Sequence, residues 1–371
     1  MSSSSAPPSS HLGSHAILRE LGETPMDALE RHLAIEPQDE PRPEPGEVIV
    51  RVRSAQVGWV DLLMMSGQYQ HVPLVPYTPG MEYAGEVAAI GEGVVDVAVG
   101  QRVIADGFAT GPRSLGAHRR EGGFATWARA PAEAVRPLPD RLSFDQGAAL
   151  FGAYETAYHC LVRRGRLKDG ETVLIHGASG TTGLAAVHVA KRLGARVIAT
   201  GRNLAKLEAV RADGADELVV TTEEGGVRRF RDDVKALCGG DGVDVVFDPV
   251  GGEISLESLR CIRFGGRFLI VGWASTPFVA RGRGGRGAPN VNTLPTNLIM
   301  MKSLDVLGCP AVISAHREPG LRRERVDTIL GWVEQGTITP KIAAHYPLSE
   351  LRDALRAKWQ SRHVGAIIVT P

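Results

Sequence analysis

Cysteine is scarce in this chain: Cys160, Cys238, Cys261 and Cys309 are the only four in 371 residues. No two stand in a C-x-x-C or zinc-ribbon spacing. That excludes a thiol-rich metal knuckle and argues against a disulfide framework in so long a chain. Buried free thiols in a reducing compartment are expected instead. Net charge is equally lacking, since 42 Lys and Arg balance 42 Asp and Glu. Without a basic excess the chain has no global attraction for nucleic acid or an anionic membrane. No apolar run of about 18 residues occurs, so no membrane-spanning helix is predicted. The opening MSSSSAPPSS has neither a basic nor an apolar stretch. It reads as a disordered tail, residues 1–13, rather than a leader, and a cytoplasmic protein is expected.

Glycine is what the sequence has in excess, with 44 residues, well above a usual share of roughly 7 %. No collagen-like repeat accompanies it, so the glycines mark tight turns and close backbone approaches. Hydrophobic residues at 43 % support a sizeable core and rule out wholesale disorder.

Two textures follow one another along the chain. In EVIVRVRSAQV, Val48, Val50 and Val52 alternate with polar residues, a half-buried strand. MEYAGEVAAIG and RVIA follow, punctuated by Gly91, Gly93 and Gly100. Short strands with glycine turns predict a small, irregular β-barrel. The stretch 106–123 reads as a long polar loop. From about residue 145 the pattern changes. AALFGAYETAYHCLVRR reads as a helix, and then strand runs alternate with helical runs: ETVLIH, GLAAVHVAKRLGA, RVIATG, LAKLEAVRADGA, ELVVT, VRRFRDDVKALC, VDVVFDPV, EISLESLRCI and RFLIVG. That alternation predicts a doubly wound parallel sheet of α/β class. SLDVLG at 303–308 reads as its sixth strand, after a basic, glycine-rich insertion at 273–296.

Gly177, Gly180 and Gly183 sit where the first of these strands turns into a helix. A dinucleotide needs this arrangement. The turn has no room for a Cβ, the diphosphate needs the backbone close, and the helix must pack tightly on the strand. The N–H groups of the helix's first turn and its dipole then bind the diphosphate. Ala178, Ser179, Thr181 and Thr182 complete the elbow. The second strand ends at Gly201 and Arg202, with Lys206 one turn on, where an NAD-binding chain offers a carboxylate to the ribose. Arginine there pairs with a 2′-phosphate, so NADPH is the expected cofactor.

The segments PYTPGMEYAGEVAAIGEGV, ETVLIHGASGTTGLAAVHVAKRLGARVIAT, VDVVFDPVGG, GGRFLIVG and RHVGAIIV together resemble the zinc-independent quinone oxidoreductase branch of the medium-chain dehydrogenase/reductase superfamily, from about residue 44 to the end. The resemblance implies a GroES-like, mainly β catalytic domain over 14–155 and 310–371, a Rossmann domain over 156–309, and a cofactor in the cleft between them. It also sets a zinc test. Zinc-dependent relatives place ligands at the positions of Gly58 and Met81, and only Glu82 of that set remains, which is too little to hold a catalytic zinc. With no metal expected, the implied chemistry is hydride delivery from NADPH to a quinone or an α,β-unsaturated carbonyl.

Residue by residue, the resemblance implies Tyr69 as a hydrogen-bond or proton donor to the substrate. It implies Asp61 as a catalytic-site carboxylate that either holds its loop or acts as an acid. Thr156, Asp248, Val250, Val271, Gly272 and Asn297 are implied beside the cofactor. Three departures stand out: the usual Asn of the V-N-P-x-D motif is Gly58, Trp59 takes the proline's place, and the usual Lys of the final R-H-V-G-K run is Ala366. Arg281, Arg283 and Arg286 in the insertion would suit a phosphate such as that of a CoA thioester. An enoyl-thioester reductase is therefore the alternative activity, and a dinucleotide-binding protein without turnover the alternative of another class. A homodimer is expected through the edge strand SLDVLG.

Overall fold

The computed structural model describes residues 13–69, 74–107, 121–276 and 292–371. Residues 1–12 of the expected tail, residues 108–120 of the long polar loop, and Arg281, Arg283 and Arg286 lie outside the described residues; Gly13, expected as the end of the tail, instead begins the strand Gly13–Leu18. Two sheets organise the chain. Six parallel strands form the first, in the spatial order Glu217–Val220, Arg196–Gly201, Thr172–Ile175, Val243–Asp248, Ile262–Ile270, Asp305–Gly308. Val173, Leu174 and Ile175 are wholly buried, as a strand covered on both faces requires. Strands Thr172–Ile175 and Val243–Asp248 are neighbours although two other strands of this sheet intervene in sequence. Chain order reverses there, and the sheet opens a crevice at its carboxyl edge.

The second sheet has seven strands. Glu47–Gln56 is its long central member, pairing antiparallel with Glu82–Ile90, with Trp127–Pro131 and with the last strand, Ala366–Thr370. Register shifts after Ile49 and Val52 bend it. The barrel expected from strand spacing is observed as this folded-back sheet. Both ends of the chain build it, so the parallel sheet lies between its two contributions in sequence.

Two elements differ from expectation. The helix read across 148–164 starts at Phe151, runs as Phe151–Tyr158 and ends in a widened turn, His159–Arg164; a separate short helix, Phe144–Ala148, precedes it. The helix read from Val227 starts at Arg231, because Thr222–Glu223 pairs with Gly226–Val227 around Gly225 and Gly226, both at positive φ. Only glycine turns so tightly there without strain. Among the described residues, no helix is long and apolar enough to cross a membrane. All four cysteines are unpaired, three of them buried.

A buried ion cluster fixes the helix Phe151–Tyr158. Its Glu155 accepts from Arg322 at 2.7 Å and Arg325 at 2.9 Å, and Arg322 also reaches Asp106 at 2.6 Å. Four charges with at most 9 % of their surface exposed persist only because each is paired and hydrogen-bonded. The cluster ties this helix to the helix Pro319–Glu334 and to the strand Arg102–Ala105, and so sets the position of Thr156.

Candidate active site

The elbow follows the strand Thr172–Ile175. Gly177 has φ +60°, and a Cβ there would meet Val250 and Pro249 at 3.7 and 3.8 Å, across the crevice. Gly180 is the N-cap of the helix Thr181–Arg192 and donates to the Gly177 carbonyl at 2.9 Å. A Cβ on Gly183 would stand 2.2 Å from that same carbonyl oxygen, so the helix closes on the strand only because the position is glycine. The first-turn N–H groups of Thr181, Thr182 and Gly183 have no preceding carbonyl within the helix and face the crevice mouth with the dipole's positive end. Such a backbone cradle fits a diphosphate. Ala178 is held by its N–H on the Thr200 carbonyl at 3.1 Å.

Residues 358–365 lie across this elbow. Gly365 donates its N–H to the Ser179 carbonyl at 3.1 Å, Thr181 Oγ1 donates to the Gly365 carbonyl at 3.3 Å, and Lys206 Nζ donates to the Ser361 carbonyl. Lys206 is held below the usual lysine range by burial and by the neighbouring Arg202. His363 is lowered by burial and by Lys206 and Arg362. Arg202 itself is exposed just past Gly201, and among the described residues it has no acidic partner. The corner at the end of the second strand is thus a cluster of cations with no counter-ion.

At the crevice's other wall, Asp248 ends its strand. Its carboxylate accepts from the N–H groups of Val250 (2.8 Å) and Gly251 (3.0 Å) and from the Ser255 hydroxyl. Only 2 % exposed, the carboxylate is occupied in shaping the loop at the carboxyl edge of the sheet. Its carbonyl accepts from Val271 at 2.9 Å and Gly272 at 3.3 Å, bringing Val250, Val271 and Gly272 together. Asn297 is exposed on the short helix Thr296–Met301, which packs on the helix Glu253–Cys261.

The catalytic-lobe side of the cleft is built around three ionisable groups. Asp61 Oδ2 accepts from Gly58 N–H at 2.9 Å, and Oδ1 accepts from Gly80 and Met81 N–H at 3.1 and 3.2 Å. A Cβ on Gly58 would lie 2.8 Å from Asp61 Oδ2, so a larger residue there requires the carboxylate to shift. Glu82 accepts from Gly152 N–H at 2.6 Å and from Gln56 Nε2 at 2.7 Å. Burial pushes Asp61 up to about 6, although its three N–H donors oppose the rise. It pushes Glu82 up to about 7, with Asp61 and Glu155 adding to the effect. Lys358 is their cation, itself brought down to about 8 by burial against the pull of Glu82 and Asp61. Its ammonium donates to Thr181 Oγ1 at 3.0 Å. Thr156 Oγ1 is turned back onto the Gly152 carbonyl at 2.7 Å. Trp59 stacks on Trp359, 5.2 Å between ring centroids and 6° between planes, which places it in an aromatic pair at the foot of the cleft. Tyr69 is half-buried just beyond the helix Trp59–Met65.

Among the described residues, no group of three or more His, Cys, Asp and Glu could hold a metal ion. Both Glu82 oxygens are taken by N–H donors, and positions 58 and 81 are Gly and Met. The donor set does not fit zinc. Sequence reading missed Lys358. Its signal was a lysine on the apolar face of the last helix, Leu351–Trp359, in register with Leu351, Ala354 and Leu355.

Comparison with known proteins agrees with this architecture. Residues 44–140 match the model of the alcohol dehydrogenase GroES-like domain, and residues 181–320 the model of the zinc-binding dehydrogenase family. A quinone oxidoreductase-like protein 2 homolog from Nematostella vectensis is 32 % identical over 325 residues, 87 % of this chain and 81 % of the relative. Human quinone oxidoreductase is 30 % identical over 85 % of each chain. A mycobacterial protein whose structure was solved with NADPH superimposes with a TM-score of 0.77 at 25 % identity, covering 96 % of this chain and 100 % of its own. The elbow, the split catalytic lobe and these relatives lead to one conclusion: the chain is an oxidoreductase and belongs to the quinone oxidoreductase branch of the medium-chain dehydrogenase/reductase family.

Proposed function

We propose that this enzyme reduces a quinone or an α,β-unsaturated carbonyl with NADPH and without a metal. The observation that carries the reading is the uncompensated cation corner of Arg202 and Lys206, one strand away from the glycine elbow. A 2′-phosphate supplies the charge that corner lacks. The cradle from Gly177 to Gly183 holds the diphosphate, and Gly201 lets the adenosine ribose lie against the strand end. Thr156, Val250, Val271 and Gly272 wall the nicotinamide. When bound, NADPH supplies the hydride.

The chain's own residues orient the acceptor and handle the proton. Tyr69 offers a phenol to the acceptor's developing oxygen. Asp61, saturated by three backbone donors, is a positioning residue that holds the 58–61 and 80–81 turns together. Glu82 and Lys358 keep the pocket near neutrality without a divalent ion. Residues 14–155 with 310–371 form the catalytic lobe, and 156–309 the dinucleotide lobe. The exposed Phe264, Met300 and Met301 flank the edge strand Asp305–Gly308, and a two-fold pairing of that edge would cover them. A monomer in light scattering overturns the homodimer.

The test of function is consumption of NADPH, followed by its absorbance, with a quinone, an enone and an enoyl-CoA in turn. Turnover with the first two, unaffected by chelators, is expected. Turnover with the thioester alone favours the enoyl-thioester reductase. NADPH binding without any turnover favours a dinucleotide-binding protein, and activity lost to chelators and restored by zinc refutes the metal-free reading.

A further inference from the structure

The ammonium of Lys358 stands between two carboxylates and the start of the elbow helix. Its one hydrogen bond among the described residues is to the hydroxyl of Thr181, 177 positions away in sequence and on the opposite lobe. Thr181 opens the 12-residue elbow helix, so the ammonium stands beside the positive end of a helix dipole and is repelled by it. Asp61 and Glu82 attract it, yet both have their oxygens committed to other donors. An ammonium carries three donors, and the arrangement lacks an anion between the lysine and the helix.

We propose that Lys358 reaches across the cleft to the diphosphate of the dinucleotide and is the catalytic lobe's binding contact to it. This rests on the reading of the elbow as a dinucleotide site. The geometry needs no lobe movement. Ser361 and Gly365 already fasten the following backbone to Lys206 and Ser179, so the flexible side chain has only to rotate from the Thr181 hydroxyl onto an oxygen bound at the same helix end. The contact also ties cofactor to substrate pocket, because the cation that neutralises Asp61 and Glu82 is then shared with the diphosphate.

Three probes separate the ends of the cofactor. NADPH carries both the diphosphate and the 2′-phosphate, ADP-ribose only the diphosphate, and 2′-AMP only the 2′-phosphate. Measured by calorimetry, Lys358→Met is expected to weaken NADPH and ADP-ribose roughly ten- to hundredfold, the range for a charge-assisted contact. It should leave 2′-AMP unchanged, and Lys358→Arg should restore most of the loss. Equal weakening of all three ligands, or of none, overturns the proposal. Should Lys358→Met fail to fold, the wild-type protein answers the same question through acylation of Lys358 by an amine-reactive reagent, read by peptide mass. Protection by NADPH and ADP-ribose but not by 2′-AMP supports the contact, and protection by none of them refutes it. Wild-type protein that binds neither NADPH nor NADH refutes the dinucleotide reading itself, a result distinct from intact wild-type binding with an indifferent Lys358.

Discussion

The two walls of the cleft are made in opposite ways. The elbow wall is local: seven consecutive residues, Gly177 to Gly183, form the cradle by their own turn and close contacts, with Thr200 and Gly365 steadying it from outside. The facing wall is assembled at long range. Asp61, Glu82 and Lys358 come from a helix, a strand and the last helix of the chain, and each has its affinity for protons shifted by the others and by burial. A binding surface for an invariant chemical group can be written as a rigid backbone motif. A surface that tunes charge has to be collected from the fold, because only burial and mutual proximity provide the tuning.

The sharpest way to break this contrast is Gly183→Val. Its Cβ would meet the Gly177 carbonyl at 2.2 Å and Ala178 Cα at 2.8 Å, contacts that backbone cannot relieve by rotating a side chain. Loss of dinucleotide binding and about 3 kcal/mol of stability are expected, checked by NADPH titration and thermal denaturation. A variant that folds and binds normally would mean the elbow is not rigid.

Arg202→Ala should lower NADPH affinity about tenfold and leave NADH nearly unchanged. Equal loss of both would remove the 2′-phosphate from the account. For the facing wall the probe is pH. Asp61 and Glu82 keep protons in the folded protein up to about 6 and about 7, whereas in the unfolded chain they release them near 4. Between those limits the native state holds more protons, so the pair's contribution to stability falls as pH rises from about 4 to about 7. Lys358 acts in the opposite sense. From about 8 up to its ordinary value, the unfolded chain holds the extra proton and stability rises with pH. Melting temperatures of Glu82→Gln should show a flatter decline between pH 5 and pH 7 than wild type; an unchanged slope would count against a tuned carboxylate.

The smallest effect sharpens the local side. Asn203 caps the following helix by accepting from Lys206 N–H at 3.1 Å. Asn203→Ala should cost about 1 kcal/mol of stability with NADPH affinity unchanged, separating the scaffold of that corner from its charge.

Legibility in the sequence follows the same division. The doubly wound sheet and its glycine elbow could be read directly, because strand–helix alternation and glycine spacing are themselves the cause of the structure. Arg202 was legible for the same reason, lying one residue beyond its strand. Asp248 was legible as a position but not as a contact, since only the fold reveals that its carboxylate is occupied by Val250, Gly251 and Ser255. Lys358 escaped notice because its partner Thr181 lies 177 residues away. The departure at Ala366 falls in the strand after the helix of Lys358, eight residues beyond that lysine. Glu155 was hidden by the same distance, its arginine partners lying 167 and 170 positions away. The helix read over 148–164 shows the converse limit: apolar spacing continues through Ala148–Leu150 and His159–Arg164 and gives no sign that the α-helix is only Phe151–Tyr158.

The strand Ala366–Thr370 lies between Ile342–Pro347 and Glu47–Gln56, inside its sheet rather than at an edge. The strand that joins the two halves of this sheet is therefore synthesised after both of the segments it bridges. Until then Glu47–Gln56 presents an unzipped flank, while the parallel sheet, whose sixth strand ends at Gly308, is already complete. Nascent chains stopped before Ala366 should carry a finished parallel sheet beside an unclosed second one, so that birth order completes the glycine elbow before the sheet that faces it.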